Sequence, residues 1–143
     1  MIVILSETIV NSLHREALRQ APDEACGLLL GEKKDETIVV SKFIYSKNVT
    51  VNDPRLTFEI DPQIHFRCQK EARAGAPAII GVWHSHPSSA AVPSKTDVEC
   101  SVEGGWVWLI TGKQDSSWNT AAFLTANTDP KFFEMLEIRP LNP

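Results

Sequence analysis

Two histidines and an aspartate lie close enough in the sequence to share one metal ion. His84 and His86 are separated only by Ser85, and Asp97 follows after a loop rich in serine, alanine and proline. On a strand, alternate side chains point to the same face, and their Cα atoms lie roughly 6.6 Å apart. Two imidazoles at that separation can converge on one zinc ion at about 2.0–2.1 Å. Three protein ligands and one open position are typical of a catalytic zinc site.

Ser94 and Asp97 also fit a purely structural interpretation. Their spacing is that of a capping box, although the usual residue at the fourth position is Glu or Gln. The two interpretations are compatible, because Ser94 can cap a helix while Asp97, one turn in, faces the metal. An isolated pair of histidines can also be a surface or core feature, so spacing alone leaves the ligand roles open.

A hydrolytic zinc site also needs a base for its water, and two acidic residues are candidates. Asp23 and Glu24 directly precede the apolar run 25–30, which we predict to be a buried strand. Either residue could instead be a solvated charge at a strand edge. The hydrophobic periodicity does not choose between these roles.

The elements that must position these residues alternate between strands and helices. Ser6 and Asp61 have the residue types of helix N-caps, and proline follows Asp61 at the first helical position. The segment 32–36 is predicted to be a charged turn. We predict strands at 2–5, 25–31, 37–46, 57–60, 78–86, 106–111, 119–126 and 132–138, and helices from Ser6 to Gln20, from Asp61 to about Arg73 and from Ser94 to about Val102. This order predicts an α/β or α+β fold in which helices flank a mixed sheet.

Composition and charge exclude several classes of protein. A length of 143 residues suits a single domain, 1–143. The net charge of −4 argues against nucleic acid as a partner, because such proteins need a basic surface. No apolar run approaches the ~20 residues of a membrane helix, so we expect no membrane partner and a cytoplasmic location. The three cysteines include no C-x-x-C pair, and mostly buried, reduced thiols are expected.

The combined pattern resembles a known family. The residues E-x(n)-H-S-H-x7-S-x-x-D, with the flanking text PDEACGLLLG and GVWHSHP, are similar to the motif of the JAMM/MPN+ (JAB domain) zinc metallopeptidases. Asn48 after a strand, and the text FEIDP before a helix, also resemble family features. The resemblance covers essentially the whole chain.

The resemblance implies a role for each motif residue. His84, His86 and Asp97 would hold one zinc ion (Zn2+) per chain. Glu24 would take a proton from the water and deliver it to the leaving amine. Ser94 would support the tetrahedral oxyanion through its hydroxyl group.

The resemblance also implies a fold and a substrate class. The fold would be a cytidine-deaminase-like sandwich, although deaminase chemistry itself needs H-x-E with P-C-x-x-C, which this chain lacks. The chain resembles short, stand-alone prokaryotic members that hydrolyse an amide bond at the C-terminal Gly-Gly tail of a ubiquitin-like or sulfur-carrier protein. That tail is expected to add along a strand edge. A non-catalytic MPN-like scaffold and a small-molecule amidohydrolase remain as alternatives, and an oligomer is compatible with the sequence.

The remaining histidines, cysteines and tryptophans are expected to have structural roles. Trp83 alternates with the two motif histidines and should pack in the core on the opposite face. We expect His14 and His65, in predicted helices, to be non-catalytic, and Cys26 to be buried. The last group is expected to build the core or an oligomer face: Trp106, Trp108 and Trp118.

Overall fold

The computed structural model describes residues 1–101, 104–126 and 132–141. Within these ranges, seven strands and three helices follow one another along the chain. In order they are β1 (Ile2–Ile4), α1 (Glu7–Gln20), β2 (Cys26–Lys34), β3 (Thr37–Ser46), α2 (Pro62–Arg73), β4 (Ala78–His86), α3 (Lys95–Cys100), β5 (Val107–Gln114), β6 (Ser117–Ala126) and β7 (Phe132–Arg139). No helix in the described ranges has both the length and the apolar composition needed to cross a membrane.

All seven strands join one sheet in the order β1-β3-β2-β4-β5-β6-β7. Strand β1 pairs in parallel with both β3 and β7, which closes the sheet into a barrel. Strands β4 and β5 are also parallel, whereas the remaining pairs are antiparallel. The predicted mixed α and β class is confirmed, while the closure of the sheet was not predicted. The more specific likeness to cytidine deaminases stays a prediction.

Helices α1 and α2 pack on opposite faces of β2. Leu13 of α1 lies in one core cluster with Leu29 of β2, whereas Cys68 of α2 packs with Leu28 and Leu30. Neighbouring residues on a strand point to opposite faces, so the two helices cover both sides of this strand. Both helices begin as predicted, since the side chains of Ser6 and Asp61 accept hydrogen bonds from backbone N–H groups of the first turn.

Strand β4 lies between β2 and β5 and ends at the two motif histidines. Its register against β5 places Gly81 opposite Val107. A Cβ atom at Gly81 would collide with the Val107 carbonyl oxygen, so only glycine permits this approach. Trp83 is fully buried on the face away from the histidines, and its Nε1 donates to Thr111 Oγ1 at 2.8 Å. The predicted core position of Trp83 is confirmed.

The predicted charged turn at 32–36 is wrong for its first three residues. Strand β2 continues through Lys34, and the turn is confined to Asp35, with φ of 55°, and Glu36. The extension pairs with β3, and the three charged side chains remain exposed on it. The charged residues at 32–34 therefore lie on an exposed part of β2 that still pairs with β3.

The predicted strand at 57–60 is also wrong. This segment forms one isolated antiparallel bridge, between Asn48 and Ile60, and joins no strand of the sheet. Its inner edge is held mainly by the Asn48 side chain, which bonds the Thr57 carbonyl and the Glu59 N–H. The Asn48 side chain thus makes the hydrogen bonds that a neighbouring strand would make in a sheet.

The end of β5 and the start of β6 also differ from the predictions. Strands β5 and β6 meet in a tighter hairpin than expected, with Asp115 at φ of 59° in the turn. Helix α3 is described to Cys100, and the predicted end at Val102 lies outside the described residues. Cys26 and Cys68 are buried as expected, whereas Cys100 is exposed.

Candidate active site

The two motif histidines share one buried point at the end of β4. Their Nε2 atoms lie 3.0 Å apart, so the side chains converge as the strand alternation predicts. Ser85, between them, points away and accepts a hydrogen bond from the Ala25 N–H through Oγ at 2.8 Å. This bond ties β4 to the segment that carries Glu24.

Helix α3 brings Asp97 to the same point. The Ser94 hydroxyl accepts from the Asp97 N–H at 3.0 Å, and Asp97 Oδ2 accepts from the Ser94 N–H at 2.9 Å, which completes a capping box. The same Oδ2 atom lies 3.1 Å from Nε2 of both His84 and His86. The capping geometry and the convergence on the histidines therefore coexist in one side chain.

The donor atoms fit a metal ion better than they fit one another. His86 Nδ1 lies 3.1 Å from the Ala90 carbonyl, so a neutral ring donates there and turns the lone pair of Nε2 toward Asp97 Oδ2. That contact is favourable only with a proton or a cation between the atoms. If both rings instead carried protons on Nε2, two N–H groups would face each other at 3.0 Å. One cation bound to all three atoms removes both conflicts.

The size of the site and the protonation of His84 and Asp97 agree with zinc, whereas at His86 the effect of burial is outweighed by Asp97, which raises the pKa of His86 when no metal is bound. A tetrahedral ion with bonds of about 2.0–2.1 Å has ligand atoms about 3.3–3.4 Å apart, close to the observed 3.0–3.1 Å. Burial lowers the pKa of His84, so its imidazole is neutral, as a ligand must be. Burial alone would raise the pKa of Asp97, but its hydrogen bonds to the two histidines outweigh burial and hold that pKa below its ordinary range.

Glu24 faces the histidines from the segment just before β2. One ligand atom each of Glu24, His84 and His86 lies within 4.8 Å of the others. Glu24 Oε1 is buried and has no hydrogen-bond partner among the described residues. Burial raises the pKa of Glu24 to about 8, which favours a carboxyl group that both takes and gives a proton near neutral pH. Of the two acidic candidates, the structure brings Glu24 to this group.

Two aromatic contacts to His84 were missed by the sequence analysis. The Phe58 ring stacks on the imidazole, with centroids 4.4 Å apart and planes 18° apart. Trp108 meets the same imidazole edge to face, with centroids 5.5 Å apart. Trp108 had been expected to build core or an oligomer face, and Phe58 appeared only within the text FEIDP. Periodicity shows neither contact. The Phe58 contact depends on where the loop before α2 lies against the sheet, and the Trp108 contact depends on the pairing of β5 with β4, which places Trp108 opposite Val82.

A mainly apolar cavity of about 220 Å³ adjoins the site. Asp97 and Phe58 line both the cavity and the histidine site. His65, expected to be non-catalytic, lies in the cavity wall. The other lining residues are Leu28, Thr57, Glu59, Ile60, Val82, Thr96, Cys100, Trp106 and Trp108.

Residues 6–123 match the family described as prokaryotic homologs of the JAB domain. The chain belongs to this family. The matched range includes every motif residue from Glu24 to Asp97, and the family inferred from the motif is confirmed.

Two individual proteins with similar sequences carry peptidase names, and one solved structure has a similar fold. A desampylase of Haloferax volcanii is 31% identical over 104 residues, which cover 73% of each protein. A CysO-cysteine peptidase of Mycobacterium tuberculosis is 25% identical over 114 residues, covering 80% of this chain and 75% of the relative. The solved structure of protein DSY2949 from Desulfitobacterium hafniense superposes with a TM-score of 0.84 over the whole chain and 94% of that protein, at 24% identity. This last likeness concerns the fold alone.

Proposed function

We propose that this chain is a zinc-dependent hydrolase that cleaves an amide bond at the C-terminal tail of a ubiquitin-like or sulfur-carrier protein. The observation that carries the proposal is the convergence of His84, His86 and Asp97 beside the buried carboxyl of Glu24, whose Oε1 has no hydrogen-bond partner among the described residues. Relatives named desampylase, CysO-cysteine peptidase and probable TtuB-protein conjugate cleaving protease support the substrate class.

Nε2 of His84, Nε2 of His86 and Oδ2 of Asp97 would hold one zinc ion per chain. When bound, zinc supplies a Lewis acid that polarises the scissile carbonyl and lowers the pKa of water toward ~7. The Ala90 carbonyl fixes the tautomer of His86 through Nδ1, which keeps the Nε2 lone pair directed into the site.

Glu24 would move the proton. Its free Oε1 would accept a proton from the attacking water, and the protonated carboxyl would then deliver that proton to the nitrogen of the leaving amine. The raised pKa of Glu24 suits both steps, because near neutral pH both the carboxylate that accepts a proton and the carboxyl that donates one are populated. A positioned carboxyl group of this kind contributes about 10²–10⁴-fold in rate.

Ser94 would donate to the oxyanion. Its Oγ already accepts from the Asp97 N–H, and its own proton has no acceptor among the described residues. A hydroxyl group can donate one hydrogen bond while it accepts another. The Ser94 proton is therefore available for the developing negative charge, which would lie beside Asp97.

The segment 57–60 would bind the substrate tail. Thr57 and Glu59 direct their backbone bonds toward Asn48 and Val49. In an extended segment the backbone groups of successive residues point to opposite edges. Phe58 and Ile60 therefore present their N–H and C=O groups to the other edge, where the described part of the chain gives them no partner. A peptide adding to this edge would pass His84, because Phe58 stacks on that ring.

The apolar cavity would select one side chain of that tail. Its walls include residues 57–60 and Asp97. An added strand points alternate side chains toward the cavity and toward solvent. A large apolar residue of the tail would enter the cavity, while glycines next to the scissile bond would allow close approach of the backbone.

We also propose that residues 1–143 form one domain of the cytidine-deaminase-like sandwich type. The joining of all described strands in one sheet, covered by α1 and α2 on opposite faces of β2, supports this grouping.

The test combines metal analysis with cleavage of a defined substrate. The substrate is a β-grasp carrier with a Gly-Gly tail joined by an amide bond to an amine reporter. We expect about one zinc per chain and cleavage in the parent, no zinc in His84→Ala/His86→Ala, and bound zinc with cleavage slowed about 10²–10⁴-fold in Glu24→Gln. Full activity of Glu24→Gln would contradict the proposed proton transfer by Glu24. No zinc in the parent, even after zinc is added, would favour a scaffold, and cleavage independent of the tail would favour a small-molecule amidohydrolase.

A further inference from the structure

The side-chain amide of Asn48 makes every hydrogen bond that an amide can offer, and it makes them to three different segments. Nδ2 donates to the Glu24 carbonyl at 3.1 Å and to the Thr57 carbonyl at 3.0 Å. Oδ1 accepts from the Thr50 N–H at 3.2 Å and from the Glu59 N–H at 3.1 Å. Two donors and two acceptors are the full inventory of this side chain.

Glu24 is held through its backbone, and its carboxyl Oε1 is left without a bond. Its N–H donates to the Pro54 carbonyl at 2.7 Å, and its carbonyl accepts from Asn48. Both bonds come from the loop between β3 and α2. Since Oε1 has no partner in the described residues, the direction of the carboxyl depends on where this loop holds the Glu24 backbone.

The same amide also fixes the aromatic face of the site. By bonding Thr57 and Glu59, Asn48 holds the residues on either side of Phe58. Phe58 in turn stacks on His84. One side chain therefore sets the position of the Glu24 backbone relative to an imidazole of the candidate metal site, although it touches none of the three proposed ligands.

We propose that Asn48 is a positioning residue for the proton transfer by Glu24. The inference rests on the proposed function. Misplacement of a catalytic group by about 1 Å can cost roughly 10²-fold in rate, so loosening the Glu24 backbone lowers kcat. Zinc content, measured with zinc in excess, stays unchanged, because His84, His86 and Asp97 keep their contacts with one another.

The substitution that isolates this role is Asn48→Asp. It keeps the oxygen that accepts from Thr50 and Glu59, and it replaces both donated bonds by a carboxylate oxygen facing the carbonyls of Glu24 and Thr57. The matched control is Thr50→Ala, which removes the hydrogen bond from the Asn52 N–H to Thr50 Oγ1 in the same loop and does not touch Glu24.

A double-mutant cycle distinguishes positioning from a general structural role. We measure kcat, zinc content and thermal unfolding for the parent, Asn48→Asp, Glu24→Gln and the double variant. Positioning predicts that Asn48→Asp lowers kcat at least tenfold with zinc retained, adds little loss in the Glu24→Gln background, and that Thr50→Ala resembles the parent. Equal fold losses in both backgrounds, loss of zinc, or an unchanged kcat in Asn48→Asp overturns the inference. If Glu24→Gln itself is fully active, the proposed function fails instead.

Discussion

Removal of zinc should lower the thermal stability of the protein by an amount that follows from its binding equilibrium and from the length of the chain. The side chains of the three proposed ligands are buried, and without a cation the His86 Nε2 lone pair or two N–H groups face an unfavourable neighbour. A ligand that binds only the folded state stabilises it by about 2.7 kcal/mol at 100 times its Kd. The unfolded chain lacks this cluster, so the relation applies to zinc here.

The expected change in Tm follows from the size of the chain. An unfolding entropy of about 2.1 cal/mol/K per residue gives about 0.3 kcal/mol/K for 143 residues. A stabilisation of about 2.7 kcal/mol therefore raises Tm by about 9 °C, and tenfold more zinc adds about 5 °C. Differential scanning calorimetry on chelator-treated protein titrated with zinc measures both values.

Two results would contradict the assignment of the zinc-dependent change in Tm to the proposed ligands. The variant His84→Ala/His86→Ala should show no dependence of Tm on zinc. An equal dependence in that variant would place the bound zinc elsewhere. A parent protein whose Tm ignores zinc across a hundredfold range would falsify the ligand assignment itself.

Two further predictions concern the roles of Ser94 and Phe58. Ser94→Ala should lose both the helix cap, about 1 kcal/mol of stability, and an oxyanion donor, about 10²–10³ in kcat. Ser94→Gly should lose the same kcat but only a few tenths of a kcal/mol, because glycine is tolerated at the N-cap, so similar kcat for parent and Ser94→Gly would rule out the oxyanion role. Phe58→Ala should weaken zinc binding about twofold to tenfold, because an aromatic pair is worth about 0.5–1.5 kcal/mol. Chelator competition measures this change, Phe58→Leu tests whether apolar volume suffices, and unchanged affinity in both would show that the stack does not support His84.

Within the proposed metal site, the convergence of the two histidines was predictable from local geometry, whereas spacing left the role of Asp97 open and the family resemblance supplied it. Strand alternation brings His84 and His86 together whatever surrounds the strand, and the capping box fixes Asp97 within one helical turn. The helix starts at Ser6 and Asp61 were found for the same reason, since caps depend on the next three residues. Strand alternation and helix capping can both be predicted without knowledge of the tertiary fold.

The base half of the site was not predictable from spacing because it depends on distant segments. Asp23 and Glu24 have the same local surroundings, and the choice between them is made by contacts with Pro54 and Asn48 across the fold. The stacking of Phe58 on His84 has the same origin. Closure of the sheet through β1 and β7 likewise joins the two ends of the chain, and no periodicity encodes such a pairing.

The two halves of the site therefore differ in how they can change. The proposed metal ligands lie on β4 and α3, whereas the loop between β3 and α2 supplies the bonds to the Glu24 backbone, the Phe58 stack and the free edge proposed for the substrate tail. Substitutions in that loop can alter which tail fits without moving the histidines. They must still preserve the bonds that Asn48 makes to Glu24, because any displacement of the loop also displaces the proposed base. Substrate choice and proton transfer are thus coupled through one side chain, and variants that widen specificity should lose kcat unless Asn48 keeps its four bonds.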